Sequence, residues 1–262
     1  MRRYARSRSI ARPGVRVLVG ALVAVLALAL TAGDARAQSP LAQELRTFAF
    51  RYHENPSRLF EIRDGLEAAL KTDEHIDNFN ALAWVCYIIG DLPTSTREEK
   101  LAAYDRGRQV AKRAIEKDGK SVGGHFWFAV NTARWGQTNG IVRSLFLLPT
   151  VQREIQTVLD LDPSFTPVYN LAGNVYYEVP GLLGGDLDRA EQLFRKGLEQ
   201  DPKDTAIRLG LAKTLIKKKR VAEARREIEA ILDERAPRNP ADWTLKHSKA
   251  ARALLDSIKA KS

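Results

Sequence analysis

The chain has 262 residues, 44% hydrophobic and 28% charged, with a formal net charge of +10 and a single cysteine. One cysteine excludes an internal disulfide framework, so a hydrophobic core must hold the fold together, and the length is sufficient for one. Seven arginines against one aspartate lie in residues 1–37, which leaves about +4 on the other 225 with the signs interspersed and removes the main ground for nucleic-acid binding.

In chain order, "MRRYARSRSIARPGVR" is a basic n-region, Val17 to Ala32 is an apolar h-region, and alanines at 35 and 37 make an A-x-A site. Together these predict a secretory signal over 1–37, cleaved after Ala37. The apolar run is shorter than the ~20 residues of a spanning helix. No cysteine follows it to be acylated, so the expectation is an exported, periplasmic protein that meets the membrane only through its signal or a partner. Residues 38–77 read as an N-terminal helical cap containing "SRLFEIRDGLEAALKTD".

From residue 78 a repeat sets in. "NFNALAWVCYIIG", "HFWFAVNTARWG", "VYNLAGNVYY" and "AIRLGLAKTLI" place small residues where paired helices must approach closely. Each is followed by a partner segment. "AEQLFRKGLEQDP" carries Ala190, Phe194 and Pro202, the A-x3-F and proline of a tetratricopeptide second helix. "AEARREIEAILDERAP" repeats it 34 residues later with Ala224 and Ile228, and "VQREIQTVLDLDP" offers Val151, Ile155 and Pro163. "GRQVAKRAIEKDG" brings Gly107, Ala111 and Ala114 into the same register. Steps of 44, 39 and 34 residues between the markers put about ten and five extra residues in the earlier repeats, relative to a ~34-residue unit.

The fold class expected is all-α, a tetratricopeptide-type helical-hairpin solenoid of about four repeats over 78–237, closed by a C-terminal capping helix over 238–262. Cys86 in "ALAWVCYIIG" reads as a small core residue rather than a reactive thiol.

The five extra residues of the third repeat lie in "EVPGLLGGD". Pro180 and Gly181 stop a helix, Gly184 and Gly185 permit positive φ, and Asp186 is placed to cap the next helix. An anion nest is the other reading, but Asp186 would put a carboxylate in it, so the segment reads as a turn. The larger insertion, "GQTNGIVRSLFLLPT", is apolar from Leu145 to Leu148 and is expected to pack against the array, with the option of narrowing the concave groove.

Solenoids of this kind bind along the concave face. There Trp127, Asn131 and Arg134 share one stripe of their helix, beside a core stripe of Phe126, Ala129, Val130 and Ala133, and Asn170, Asn174 and Tyr177 share a stripe on the next first helix. These six are the candidate ligand-binding residues. Arg134 would pair a carboxylate and the asparagines would orient a small organic acid or a peptide terminus. The other reading packs the aromatics between repeats and leaves the asparagines to local backbone; both stay open here.

No catalytic or metal site is expected. His53, His75, His125 and His247 are scattered, with no H-E-x-x-H, C-x2-C or G-x-S-x-G. The Gly119-Lys120-Ser121 run lacks the first glycine and the strand of a phosphate loop. No cofactor is implied, and the protein reads as a non-enzyme.

The stretches "GHFWFAVNTARWG", "VQREIQTVLDLDPSF" and "YNLAGNVYYEVPGLLGGDLDRAEQLFRKGLEQDP" together resemble the T-component family of TRAP transporters, most specifically from Pro180 to Ala190. The resemblance spans about residues 78–235 and implies a periplasmic accessory protein working beside a solute-binding protein. Members are often lipoproteins, and this chain lacks the lipobox cysteine. The alternative expectation is a protein–protein scaffold in envelope assembly without a small-molecule site.

Overall fold

The computed structural model describes residues 39–260, which belong to a unit beginning at Ser39; the expected signal lies outside the described residues. Two helices, α1 (Pro40–Phe48) and α2 (Arg58–Ala69), precede four antiparallel hairpins. These are α3 (Ile76–Gly90) with α4 (Arg97–Lys117), α5 (Val122–Asn139) with α6 (Ile141–Leu161), α7 (Pro167–Glu178) with α8 (Leu187–Gln200), and α9 (Thr205–Lys217) with α10 (Val221–Asp233). A short turn of helix, Pro240–Asp242, and a π-helical turn, Trp243–His247, lead into α11 (Ser248–Lys259). Among the described residues there is no strand, and the fold is the helical-hairpin solenoid that the periodicity demands.

Local chemistry sets the boundaries. Thr96 and Glu99 form a reciprocal capping box that opens α4. Asp186 caps α8 by accepting from the backbone N–H groups of Asp188 (2.8 Å) and Arg189 (3.0 Å). In the turn before it Gly184 does take a positive φ of 98°, whereas Gly185 is required for another reason: a Cβ there would sit 1.7 Å from the Val179 carbonyl oxygen. α9 ends in a Schellman arrangement in which Lys219 N–H donates to Ile216 O and Arg220 N–H to Leu215 O. The left-handed position is filled by Lys219, with φ 62°.

The register markers lie in the cores. Ala111 and Ala114 join Leu45, Leu59, Ile62, Phe79 and Leu82 around the first hairpin. Val151 and Ile155 pack with Phe126, Ala129 and Tyr169 in the second core. Ala190 and Phe194 meet Ile207 and Leu211 in the third, and Ile228 meets Ala212, Ala251 and Ile258 in the fourth. The A-x3-hydrophobic spacing is a helical turn, so both marked residues fall on the buried face.

Cys86 is buried in the first core, and burial pushes its thiol up to about 12. Ellman's reagent is therefore expected to leave the native protein unlabelled at neutral pH and to titrate one thiol after denaturation. Rapid labelling of the native chain would contradict this burial.

The larger insertion forms no separate packed loop. It lengthens α5 and α6, which meet at the single residue Gly140. Phe146 is 75% exposed, so the expectation that Leu145 to Leu148 as a whole would pack on the array is corrected. α6 runs for 21 residues and the following α7 and α8 for 12 and 14, so on the side of the third hairpin the first turns of α6 have no neighbour of matching length.

Candidate functional site

The first helices of the hairpins carry the predicted residues. On α5, Trp127 stacks on Trp84 of α3 with ring centroids 5.5 Å apart and 17° between planes, and meets Tyr87 at 5.6 Å and Phe126 at 4.8 Å. Its indole thus joins the first and second cores. Asn131 is fully buried: its amide donates to Ala83 O (3.1 Å) and Trp127 O (2.9 Å), pinning α5 to α3. Gly107 of α4 leaves the room this amide needs, since a Cβ there would come within 2.4 Å of Asn131 Oδ1.

The sequence reading gives Arg134 a ligand's carboxylate; the structure gives it Asp91, just past the end of α3. Asp91 also receives Lys246 Nζ at 2.6 Å, from the π-turn near the C-terminus. Lys246 reaches Asp242 as well (2.8 Å), and Asp242 accepts from the Tyr52 hydroxyl (2.7 Å). Beside them Ala241 N–H donates to Phe50 O (3.0 Å), and Thr205 Oγ1 lies 2.8 Å from His247 Nδ1. Asp91 belongs with α3, Arg134 with α5 and Thr205 with α9. The segment 241–247 therefore lies along the first helices, the surface on which such solenoids hold their ligands.

On α7, Asn174 donates to the carbonyl (2.8 Å) and side-chain oxygen (2.9 Å) of Asn170, a local i,i+4 pairing. Tyr177 is covered by Lys217, whose Nζ stands 3.6 Å from the ring centroid and donates to Tyr177 O (3.0 Å). Burial, and then the neighbouring Glu178, raise its phenol above the ordinary value. Among the described residues no hydrogen bond or ring contact links the α7 trio to the α5 trio.

Sequence reasoning missed Asp91, Lys246, Asp242 and Tyr52. The one trace of them is Asp242 and Lys246 at i,i+4 on an amphipathic helix, which names neither partner. Of the histidines, His125 is buried with Nδ1 2.6 Å from Glu154 Oε2 and Nε2 3.1 Å from Gly119 O, tying α5 to α6. Among the described residues no three His, Cys, Asp or Glu side chains gather to hold a metal ion. A cavity of about 430 Å³ opens between α2, α3 and α4, lined by Phe60, Ile89 and Leu92 with Arg63 and Arg106, away from all six predicted residues.

A second charge cluster supports the third and fourth hairpins. Glu191 of α8 accepts from Arg195 (2.8 Å), Lys218 (2.5 Å) and Arg220 (2.7 Å). Burial alone would raise its carboxyl, but these donors outweigh burial and hold it at about 2. A depressed carboxyl stabilises the fold fully above its ordinary value of 4.5, and that contribution is lost as pH falls from there toward about 2. Urea midpoints of Glu191→Gln and the parent should therefore diverge above pH 4.5 and converge in acid. A constant gap across that range would refute the assignment.

Residues 51–183 match the family described as Regulator of microtubule dynamics protein 1-3, and residues 182–246 match the tetratricopeptide repeat. No curated protein matches the chain in sequence. Among solved structures it is similar to TTC0263, a thermophilic TPR protein of Thermus thermophilus, with a TM-score of 0.58 at 19% identity over 80% of this chain and 98% of that one. It is also similar to MamA, from residue 41 to the end, of Desulfovibrio magneticus, with a TM-score of 0.47 at 13% identity over 74% of this chain and 94% of that one. The first likeness shows the tetratricopeptide fold, and the family match spans half of the sequence: the chain belongs to the family described as Regulator of microtubule dynamics protein 1-3.

Proposed function

We propose that the chain is an exported protein-binding scaffold that holds peptide segments of a partner along its first helices and performs no chemistry of its own. The observation that carries the reading is the hold on residues 241–247. A backbone hydrogen bond, a partly buried carboxylate and a threonine hydroxyl grip a stretch of polypeptide there, which is the recognition chemistry a partner peptide would use. The commitment of Arg134 to Asp91 argues against a free small acid at that point. Export rests on the leader over 1–37, and a periplasmic location follows from it.

A narrower reading makes the partner a periplasmic solute-binding protein of a TRAP-type transporter, with a small organic acid passed between them. The stretch from Pro180 to Ala190 supports it. The test is a pull-down from native periplasm with the chain from Gln38 onward, tagged at its C-terminus, with bound proteins identified by mass spectrometry. Specific recovery of one protein partner supports the scaffold, and a solute-binding protein among the captured proteins selects the narrower reading. Recovery of none, or turnover of a metabolite by the isolated chain, overturns the scaffold.

A further inference from the structure

The start of α6 is an apolar helix face that nothing in the fold covers. Val142 is 79% exposed and Phe146 75%, and with exposed Pro149 they fall at i, i+4 and i+7, a single stripe. Ile141, beside them, is 67% exposed. The tip stands clear because α6 has seven residues more than α8, about 10 Å of helix. The α7–α8 turn carries Leu182, which is wholly exposed.

The charge around the stripe is one-sided. From Gly119 to Arg153 there is no aspartate or glutamate; of the cations there, Arg143 is exposed at the tip and Arg153, 66% exposed, also bonds the neighbouring Glu154, while Arg134 is committed to Asp91. Trp135, one turn below the tip, carries the guanidinium of Arg108 over its ring at 4.4 Å and that of Arg143 at 5.7 Å. The acids of the neighbouring turn are Glu178, Asp186 and Asp188; Asp186 is used as the cap of α8 and Asp188 pairs with Lys218.

We propose that this edge is a membrane-docking surface: Ile141, Val142 and Phe146 enter the headgroup boundary of an anionic bilayer, and Arg143 and Arg153 meet its phosphates. Exposed aliphatic and aromatic side chains with exposed cations beside them are the features that hold a helix in that layer. A second copy of the chain would bring the same cations against themselves, so charge favours lipid over self-docking. No described helix is long and apolar enough to cross a membrane, and the proposed contact lies in the interface plane.

Ser39–Ser262 is a compact unit containing all four described cores, so the test leaves off the apolar run of the leader. This unit would be sedimented with phosphatidylcholine vesicles, with and without phosphatidylglycerol, at low and high salt. Binding is expected to need phosphatidylglycerol and to fall as salt rises. Phe146→Ser should weaken it about tenfold and Val142→Ser by a smaller factor, each with an unchanged melting temperature. Arg143→Gln should lessen the preference for the anionic vesicle. Absence of binding, equal binding by parent and Phe146→Ser, or a lowered melting temperature that shows the stripe to be packed would each overturn the proposal. So would a concentration-dependent dimer dissociated by Phe146→Ser, which would assign the stripe to a contact between copies.

Discussion

Asp91→Ala is expected to lower stability by about 2–3 kcal/mol, because it leaves two cations facing each other across a partly buried site. Asp91 has 15% of its side chain exposed, and its carboxylate joins Arg134 of α5 to Lys246 of the C-terminal segment. Burial by itself would raise its carboxyl, but the charges of Arg134 and Lys246 outweigh burial and hold it below the ordinary carboxylate range. Lys246 mirrors this, since burial works against its charge while Asp91 and Asp242 more than restore it. Arg134 keeps 40% of its side chain exposed, so solvent screens part of the loss and the full cost of an orphaned buried ion does not apply.

Lys246→Met should cost less, because Asp91 retains Arg134. The double variant should recover part of the sum, which is the mark of a coupled pair. Urea midpoints of the three variants measure this. The contribution is complete above the ordinary aspartate value of 3.8 and is lost as pH falls through it toward the lower folded value. Amide exchange gives a second readout: the Ala241 N–H, bonded to Phe50 O, should lose protection in Asp91→Ala before the amides of α7 do. An Asp91→Ala midpoint indistinguishable from the parent would sink this account of how the segment is held.

The larger single effect belongs to Phe194→Ala, at about 3–5 kcal/mol. Phe194 is completely buried, and its ring lies between two glycines from different hairpins. A Cβ added at Gly173 would come within 2.5 Å of the ring edge, and so would one at Gly210. The ring is thus a wedge joining α7 to α9, and its loss opens a cavity at the contact through which one repeat stacks on the next. The converse change, Gly173→Ala, forces the ring out of its seat and should cost about 1–3 kcal/mol. Phe194→Leu should cost distinctly less than Phe194→Ala. Thermal unfolding of the three variants decides it, and a near-neutral Phe194→Ala would mean that the repeats are not stacked through this ring.

Much of this architecture was legible in the sequence, because it depends on interactions within a few residues. Ala190 with Phe194, Val151 with Ile155 and Ala224 with Ile228 sit one helical turn apart, so burying one face makes them core whatever the rest of the chain does. The cap at Asp186 is legible for the same reason, since its hydrogen bonds reach only Asp188 and Arg189. The repeat spacing then implies the stacking, because one hairpin cannot bury its own apolar face.

The candidate site was legible only as residue types on a face. That Arg134 is polar and directed away from the core follows from its register; that Asp91 meets it, 43 residues earlier, does not. Nor does the arrival of Lys246 at the same carboxylate, 155 residues away in sequence, or of Ala241 at Phe50. Periodicity marks which face of a helix turns inward but not what lies opposite it, and that is set by how far the array turns before its last segment comes back. The insertion after α5 shows the same limit. Its apolar residues lead one to expect a segment packed on the array, and the shorter α7 and α8 leave Val142 and Phe146 exposed. Sequence by itself determined the helices, their pairing and their cores through local burial; the tertiary structure alone decided which charges met and which apolar face stayed open, because both depend on contacts between parts of the chain with no short-range relation.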